Sequence, residues 1–165
     1  PRQLRPSHII YEMIIVFRAV DKLSTDELLN MPTTEDHSVA QYTMFLMQGT
    51  LCCLATDPTT LCFLVLRAVR LCLRRGYRTF TPTIFALCGF LRVIITGNFT
   101  EADRIGRIVM RLSERFNAPQ ADAITKDIYN GALQWLFRAS PSFSQLAGSR
   151  HWIYVEILVG VVMVV

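Results

Sequence analysis

The sequence predicts an all-α fold built as a solenoid of stacked antiparallel helix hairpins, and three observations point to it. Turn-forming residues at Pro32, Asp57-Pro58, Gly76, Thr81-Pro82, Gly97-Asn98 and Pro119 divide the chain into apolar-periodic runs of helical length. The runs 58–75 and 99–116 each carry an apolar stripe with arginines on the opposite side. The run between them, 82–96, holds Arg92 as its one charge and is apolar all round, as a helix covered on several sides is.

Each element has its own signal. Residues 8–21 place Ile9, Met13, Val16 and Val20 on one helical face. Ser24-Thr25-Asp26-Glu27 matches a capping box and starts a short helix that Pro32 ends. A long helix is expected from about Glu35 to Ala55, opened by the acidic first turn Thr33-Thr34-Glu35-Asp36. Asp57 as N-cap and Pro58 at the first helical position start a helix that Gly76 caps. On it Leu61, Val65, Ala68 and Cys72 share one face, with Arg67, Arg70 and Arg74 opposite. Thr81-Pro82 repeats the same device and opens a helix to Thr96. Gly97 can then close that helix in a left-handed conformation at no steric cost. Beyond the turn, Ile105, Val109, Leu112 and Phe116 face inward, and Arg104, Arg107, Arg111 and Arg115 lie opposite. A last helix is expected from Pro119 to before Pro141, with Ile124, Ile128, Gly131 and Trp135 as its stripe. No strand signal precedes residue 152.

Composition agrees with a folded domain. Of 165 residues, 52% are apolar and 18% charged, which excludes a disordered or fibrous chain. So apolar a helical chain implies further surface to bury, and a start at Pro1 with an apolar end at Val165 suggests a piece of a longer protein. Cys52, Cys53, Cys62, Cys72 and Cys88 all lie in apolar segments without Cys-x-x-Cys spacing. They read as small buried hydrophobes in a reducing, cytoplasmic setting. Residues 1–147 then form the helical domain and 148–165 an atypical segment. Trp152 to Val165 carries Glu156 as its one charge and is shorter than the ~20 residues a span needs. It reads as a truncated repeat or an aberrant end, with a membrane-associated tail and a core strand as alternatives.

Three stretches carry a family resemblance: residues 28–32, residues 64–77, and Gly97-Asn98-Phe99 through residues 112–118 to Trp135. In the last, an aromatic lies two residues past Gly97 and Ala102 five past it, as in the second half of a tetratricopeptide-like hairpin. Over about residues 22–146 the chain resembles the tetratricopeptide-like region that follows the ATPase module in very large signalling proteins. Those proteins typically carry a protein kinase domain, an AAA-type ATPase, such repeats, then GAF and histidine-kinase or cyclase modules. The resemblance implies a non-catalytic coupling segment. Catalytic motifs of that family are not present here, and residues after Gly148 depart from it.

The sequence holds no constellation that carries chemistry. There is no Gly-x-x-x-x-Gly-Lys and no Gly-x-Ser-x-Gly. His8, His37 and His151 are too dispersed for a ligand set, so no metal or cofactor is expected. Glu35-Asp36-His37 are consecutive, so on a helix they point apart, and acids in a first turn serve the dipole. Phe85, Phe90, Phe99, Phe116 and Trp135 stand at core spacings.

Arginine is the remaining surface feature. The chain has 15 Arg and 2 Lys, for a net charge of +4. Residues 66–115 hold ten Arg against Glu101, Asp103 and Glu114. If both stripes face solvent, Arg67, Arg70, Arg74, Arg104, Arg107, Arg111 and Arg115 form one basic ridge. Such a ridge is either a solvated face or a dock for an acidic or phosphorylated protein segment, whose carboxylates or phosphates the guanidinium fork fits. Nucleic acid is the weaker reading, because no stacking aromatics interleave the arginines. The expected function is a non-catalytic interaction module; the rivals are a nucleic-acid-binding helical repeat and a membrane-associated protein.

Overall fold

The computed structural model describes residues 6–53 and 56–117, together with residues 123, 125 and 126. The described residues form α1 (Pro6–Lys22), α2 (Thr25–Leu29), α3 (His37–Cys53), α4 (Pro58–Arg75), α5 (Thr81–Thr96) and α6 (Phe99–Phe116). The all-α expectation holds for them, and the one β-bridge among them joins Thr33 to Tyr77. Segment 148–165, and the expected helix from Pro119 apart from residues 123, 125 and 126, lie outside the described residues.

The helix ends are set by local chemistry. Ser24 Oγ accepts from Glu27 N at 3.2 Å while Glu27 Oε2 accepts from Ser24 N at 2.7 Å, closing the capping box of α2. Asp57 accepts from Thr59 N and Thr60 N at 3.1 and 3.0 Å ahead of Pro58. Helix α3 begins at His37, two residues later than Glu35, because Asp36 acts as a cap outside the helix: its carboxylate accepts from Ser38 N at 2.9 Å. Thr81 does not repeat the device of Asp57. Phe80 precedes α5 without a side-chain cap, and Thr81 Oγ1 turns back to accept from Arg78 N at 2.8 Å.

Two glycines make the turns. Gly97 sits at φ 66°, ψ 12°, its N–H donating to Val93 O at 2.8 Å, and Asn98 Oδ1 caps α6 by accepting from Glu101 N at 3.0 Å. Gly76, at φ 98°, ψ 172°, occupies a region open essentially to glycine alone. It feeds Tyr77 into the bridge, where Tyr77 N donates to Pro32 O at 2.8 Å and Thr34 N to Tyr77 O at 3.1 Å. That bridge fastens the loop after α2 to the loop after α4.

Helix α4 packs against α3 on one side and α5 on another, and α5 packs on α6. Ile105, Val109 and Leu112 of α6 are fully buried, and α5 is buried from Thr81 to Val93. Ala102 is fully buried at the close approach of α5 and α6, where a Cβ on Gly89 would lie 3.3 Å from Ile105 Cγ2. The N-terminal pair does not extend this order. Helix α1 lies against α4, and α2 lies against α6. An array whose hairpins meet only their neighbours would not bring α2 to α6. Helices α1 and α2 instead lie across the two later hairpins, with Val16, Val20 and Leu28 fully buried there. The cysteines divide: Cys72 and Cys88 are buried, Cys53 and Cys62 partly so, and Cys52 is exposed, contrary to the expectation that all five are core residues.

Candidate functional site

The candidate site is the pair of arginine stripes, and the structure places their members in three different settings. On α4, Arg67 and Arg70 face α1. Arg70 Nη1 donates to both carboxylate oxygens of Glu12, at 2.8 and 2.9 Å, and Arg67 Nη1 donates to Glu12 Oε1 at 3.0 Å. Glu12 is 5% exposed, so this is a buried carboxylate held by two guanidinium groups. Arg74, one turn further on, is exposed.

On α6 the arginines meet carbonyls. Arg104 donates from Nη1 to Leu23 O and from Nη2 to Val20 O, both at 3.0 Å, and also pairs with Glu101. Arg115 Nη1 donates to Leu29 O at 2.8 Å and Met31 O at 3.2 Å. These carbonyls belong to the C-terminal ends of α1 and α2 and the residues just beyond. A helix leaves its last four carbonyls without intrahelical partners and concentrates partial negative charge there, so an arginine from another helix both satisfies and neutralises that end. Arg107 pairs with Asp103 one turn back and keeps an exposed side chain, and Arg111 is exposed.

The expected ridge is exposed at Arg67, Arg74, Arg107, Arg111 and Arg115 and half-buried at Arg70 and Arg104. Arg67, Arg70, Arg104 and Arg115 reach α1 and α2, Arg67 and Arg115 while staying exposed, and Arg74, Arg107 and Arg111 face solvent without such a tie. The physical reason is non-local. A helical wheel identifies the face an arginine occupies, but not that an N-terminal helix returns to engage some of its members.

Two charged residues outside the expected set belong to the same system. Glu12 stands in line with Val16 and Val20, four and eight residues on, so a carboxylate on a core stripe is itself a signal of a buried partner. Arg92, the lone charge of α5, is 7% exposed at its side chain, pairs with Asp21 at 2.6 Å, and lies over the Phe17 ring 4.7 Å from the centroid. It too ties α1 to a later hairpin.

Where the α1–α2 turn meets the end of α5 and the start of α6, an open cleft of about 590 Å³ is lined by Asp21, Ser24, Arg92, Asn98 and Arg104, among others. Its charged lining residues are Asp21, Glu27 and Glu101 against Lys22, Arg92 and Arg104, so it carries no net charge to select an anion. Gly97, Asn98 and Ala102 lie at the α5–α6 turn and shape this end of the molecule. Among the described residues, no group of three His, Cys, Asp or Glu side chains is placed to hold a metal ion. Burial pushes the thiols of Cys72 and Cys88 up to about 11 and about 12, which disfavours the nucleophilic thiolate. No helix of the described residues is long and apolar enough to cross a membrane.

No protein-family model matches the chain, and neither a curated protein nor a solved structure matches it.

Proposed function

We propose that the chain is a non-catalytic helical-hairpin interaction module of tetratricopeptide-like type, with α3–α4 and α5–α6 as successive repeats and α1–α2 as an N-terminal cap. The observation that carries this reading is the contact order α3–α4–α5–α6, each helix against the next, with α1 and α2 bound across it by arginine. Terminal units of helical arrays commonly depart from the repeat and close one end, which fits the crossing position of α1–α2. In this role the module sits in a cytoplasmic signal-transduction protein and couples an ATPase or kinase module to downstream modules.

The partner is an acidic or phosphorylated protein segment. Arg74, Arg107 and Arg111 are the exposed stripe members not engaged with the α1–α2 region, and they supply the docking contacts. Charge-assisted contacts contribute about 1.5–3 kcal/mol each when fully engaged, so a few suffice for micromolar binding. The engagement of Arg67, Arg70, Arg104 and Arg115 within the chain leaves less basic surface for a nucleic-acid backbone.

The test is fluorescence anisotropy with a labelled peptide of alternating glutamate and phosphoserine. The chain should bind it, and the combined substitutions Arg74→Glu, Arg107→Glu and Arg111→Glu should weaken binding at least about tenfold. Equal binding by the substituted protein would overturn the assignment. Tight binding to a single-stranded oligonucleotide, with a steep loss on adding salt, would favour the nucleic-acid reading instead.

A further inference from the structure

Helix α3 is the one named helix without Asp, Glu, Lys or Arg, in a chain whose net charge is +4. Its inner side is ordinary core. Val39, Leu46 and Met47 are buried, and the buried hydroxyls of Thr43 and Thr50 donate to Val39 O and Leu46 O at 2.7 and 2.8 Å. Its outer side is unusual. Ser38, Gln41, Phe45, Gln48 and Cys52 follow one another at alternating spacings of three and four, and all are exposed. Phe45 is 67% exposed, and Tyr42 and Met44 beside it are about half exposed. A large aromatic in that position lowers solubility unless something covers it.

The row reads nearly the same in both directions: a small residue, glutamine, phenylalanine, glutamine, a small residue. Phe45 also stands midway along α3, between His37 and Cys53. We propose that α3 is a homodimerisation face, on which a second copy of this chain docks antiparallel about a two-fold axis beside Phe45. A two-fold axis there sets Phe45 against its counterpart, each Gln41 towards the other copy's Gln48, and each Ser38 towards the other copy's Cys52. Aromatic meets aromatic, and amides that both donate and accept meet amides. The charge pattern favours this occupant over others. Two copies of a basic chain meet with least repulsion on a charge-free surface, and α3 provides one. An acidic or basic peptide finds no opposite charge on it, and a membrane-surface helix would carry cationic residues beside its apolar face.

At 17 residues α3 is about 25 Å long. One helix face covers less than the ~800 Å² per partner of a standard interface, so the dimer is weak, with dissociation in the range of roughly 10–500 μM.

The experiment is sedimentation velocity of the full chain under reducing conditions, from low micromolar to about 0.5 mM. The chain should pass from monomer to dimer. Phe45→Glu places two carboxylates at the axis and should weaken association at least about tenfold, with helix content by circular dichroism unchanged. Two further variants report whether the contact is antiparallel and symmetric. Gln41→Glu combined with Gln48→Glu sets like charges across the axis and should weaken the dimer. Gln41→Lys combined with Gln48→Glu sets each Lys towards a Glu and should preserve it. Should Phe45→Glu fail to fold, these two variants decide the question alone. A monomer at every concentration, a dimer indifferent to Phe45→Glu, or equal behaviour of the two double variants would overturn the proposal. So would a dimer that disappears only when residues 148–165 are deleted.

Discussion

Arg70 of α4 and Glu12 of α1, 58 residues apart in sequence, form an ion pair around a buried carboxylate, in which one guanidinium nitrogen reaches both carboxylate oxygens. The same pattern recurs in other forms. Arg92 holds Asp21, Arg104 holds the carbonyls of Val20 and Leu23, and Arg115 holds those of Leu29 and Met31. Every one of these contacts joins the α1–α2 region to a later hairpin. The bias of 15 Arg against 2 Lys thus has an internal use, because a planar fork can serve two acceptors at once where an ammonium acts as a point charge.

The two left-handed glycines should differ in their tolerance of substitution. A Cβ on Gly97 would meet nothing within 4 Å, so Gly97→Ala bears only the left-handed backbone cost of about 1–2 kcal/mol, with Gly97→Asn costing less. A Cβ on Gly76 would lie 2.7 Å from Pro32 O, in a backbone region that itself costs about 1–3 kcal/mol. Gly76→Ala should therefore lower the urea midpoint much further than Gly97→Ala. Equal shifts would show that the Thr33–Tyr77 bridge does not constrain the fold.

Arg104 and Arg107 are neighbours on α6 with opposite expected effects. Arg104→Ala strands carbonyls at the end of α1 and should cost about 2 kcal/mol. The Arg107 side chain is 65% exposed and pairs only with Asp103, so Arg107→Ala should change stability by less than about 0.5 kcal/mol. Chemical denaturation of the two variants separates a tie from a surface pair.

Acid should loosen the helix starts. Hydrogen bonds from Thr60 hold the Asp57 carboxyl below its ordinary value of 3.8, and the backbone N–H of Ser38 does the same for Asp36. A carboxylate whose folded pKa is lowered contributes stability above its unfolded value, and that contribution is lost as pH falls through the folded value. The urea midpoint should therefore begin to fall near pH 3.8 and continue downward below it. Asp57→Asn, which still accepts the capping bonds but does not titrate, should flatten part of that decline.

Thiol labelling should follow burial. Cys52 is exposed, whereas Cys72 and Cys88 are buried with thiols raised to about 11 and about 12. A maleimide at neutral pH should modify Cys52 first and leave Cys72 and Cys88 intact until the chain unfolds. Mass spectrometry of peptides from the folded protein reads this directly. Prompt labelling of Cys88 would mean that α5 is not enclosed as described.

What the sequence conveyed and what it hid divide along locality. Ser24 with Glu27, Asp57 with Pro58, and Gly97 with Asn98 act within a few residues, so the limits of α2, α4, α5 and α6 were legible to within a residue or two. Thr81 misled because its hydroxyl had two uses, capping α5 or accepting from Arg78, and only the loop geometry decides between them. The stripes on α4 and α6 were also legible as stripes. Their engagement was not, since Glu12 and the carbonyls of Val20, Leu23, Leu29 and Met31 arrive from 55 to 86 residues away. Glu12 on a core stripe and Arg92 in an apolar helix were the clues: a buried charge requires a partner.

The central claim, that arginines of the later hairpins hold α1 in place, is tested most directly by a double-mutant cycle on Glu12 and Arg70. Urea unfolding of Glu12→Ala, Arg70→Ala and the double variant gives their coupling free energy. The account predicts a coupling of about 1.5 kcal/mol or more, with each single substitution destabilising by roughly 1–3 kcal/mol, because Arg67 still pairs with Glu12 when Arg70 is removed and Arg70 keeps part of its solvent access when Glu12 is removed. A coupling below about 0.5 kcal/mol, the range of independent sites, would contradict it and return Arg70 to the solvent-facing stripe.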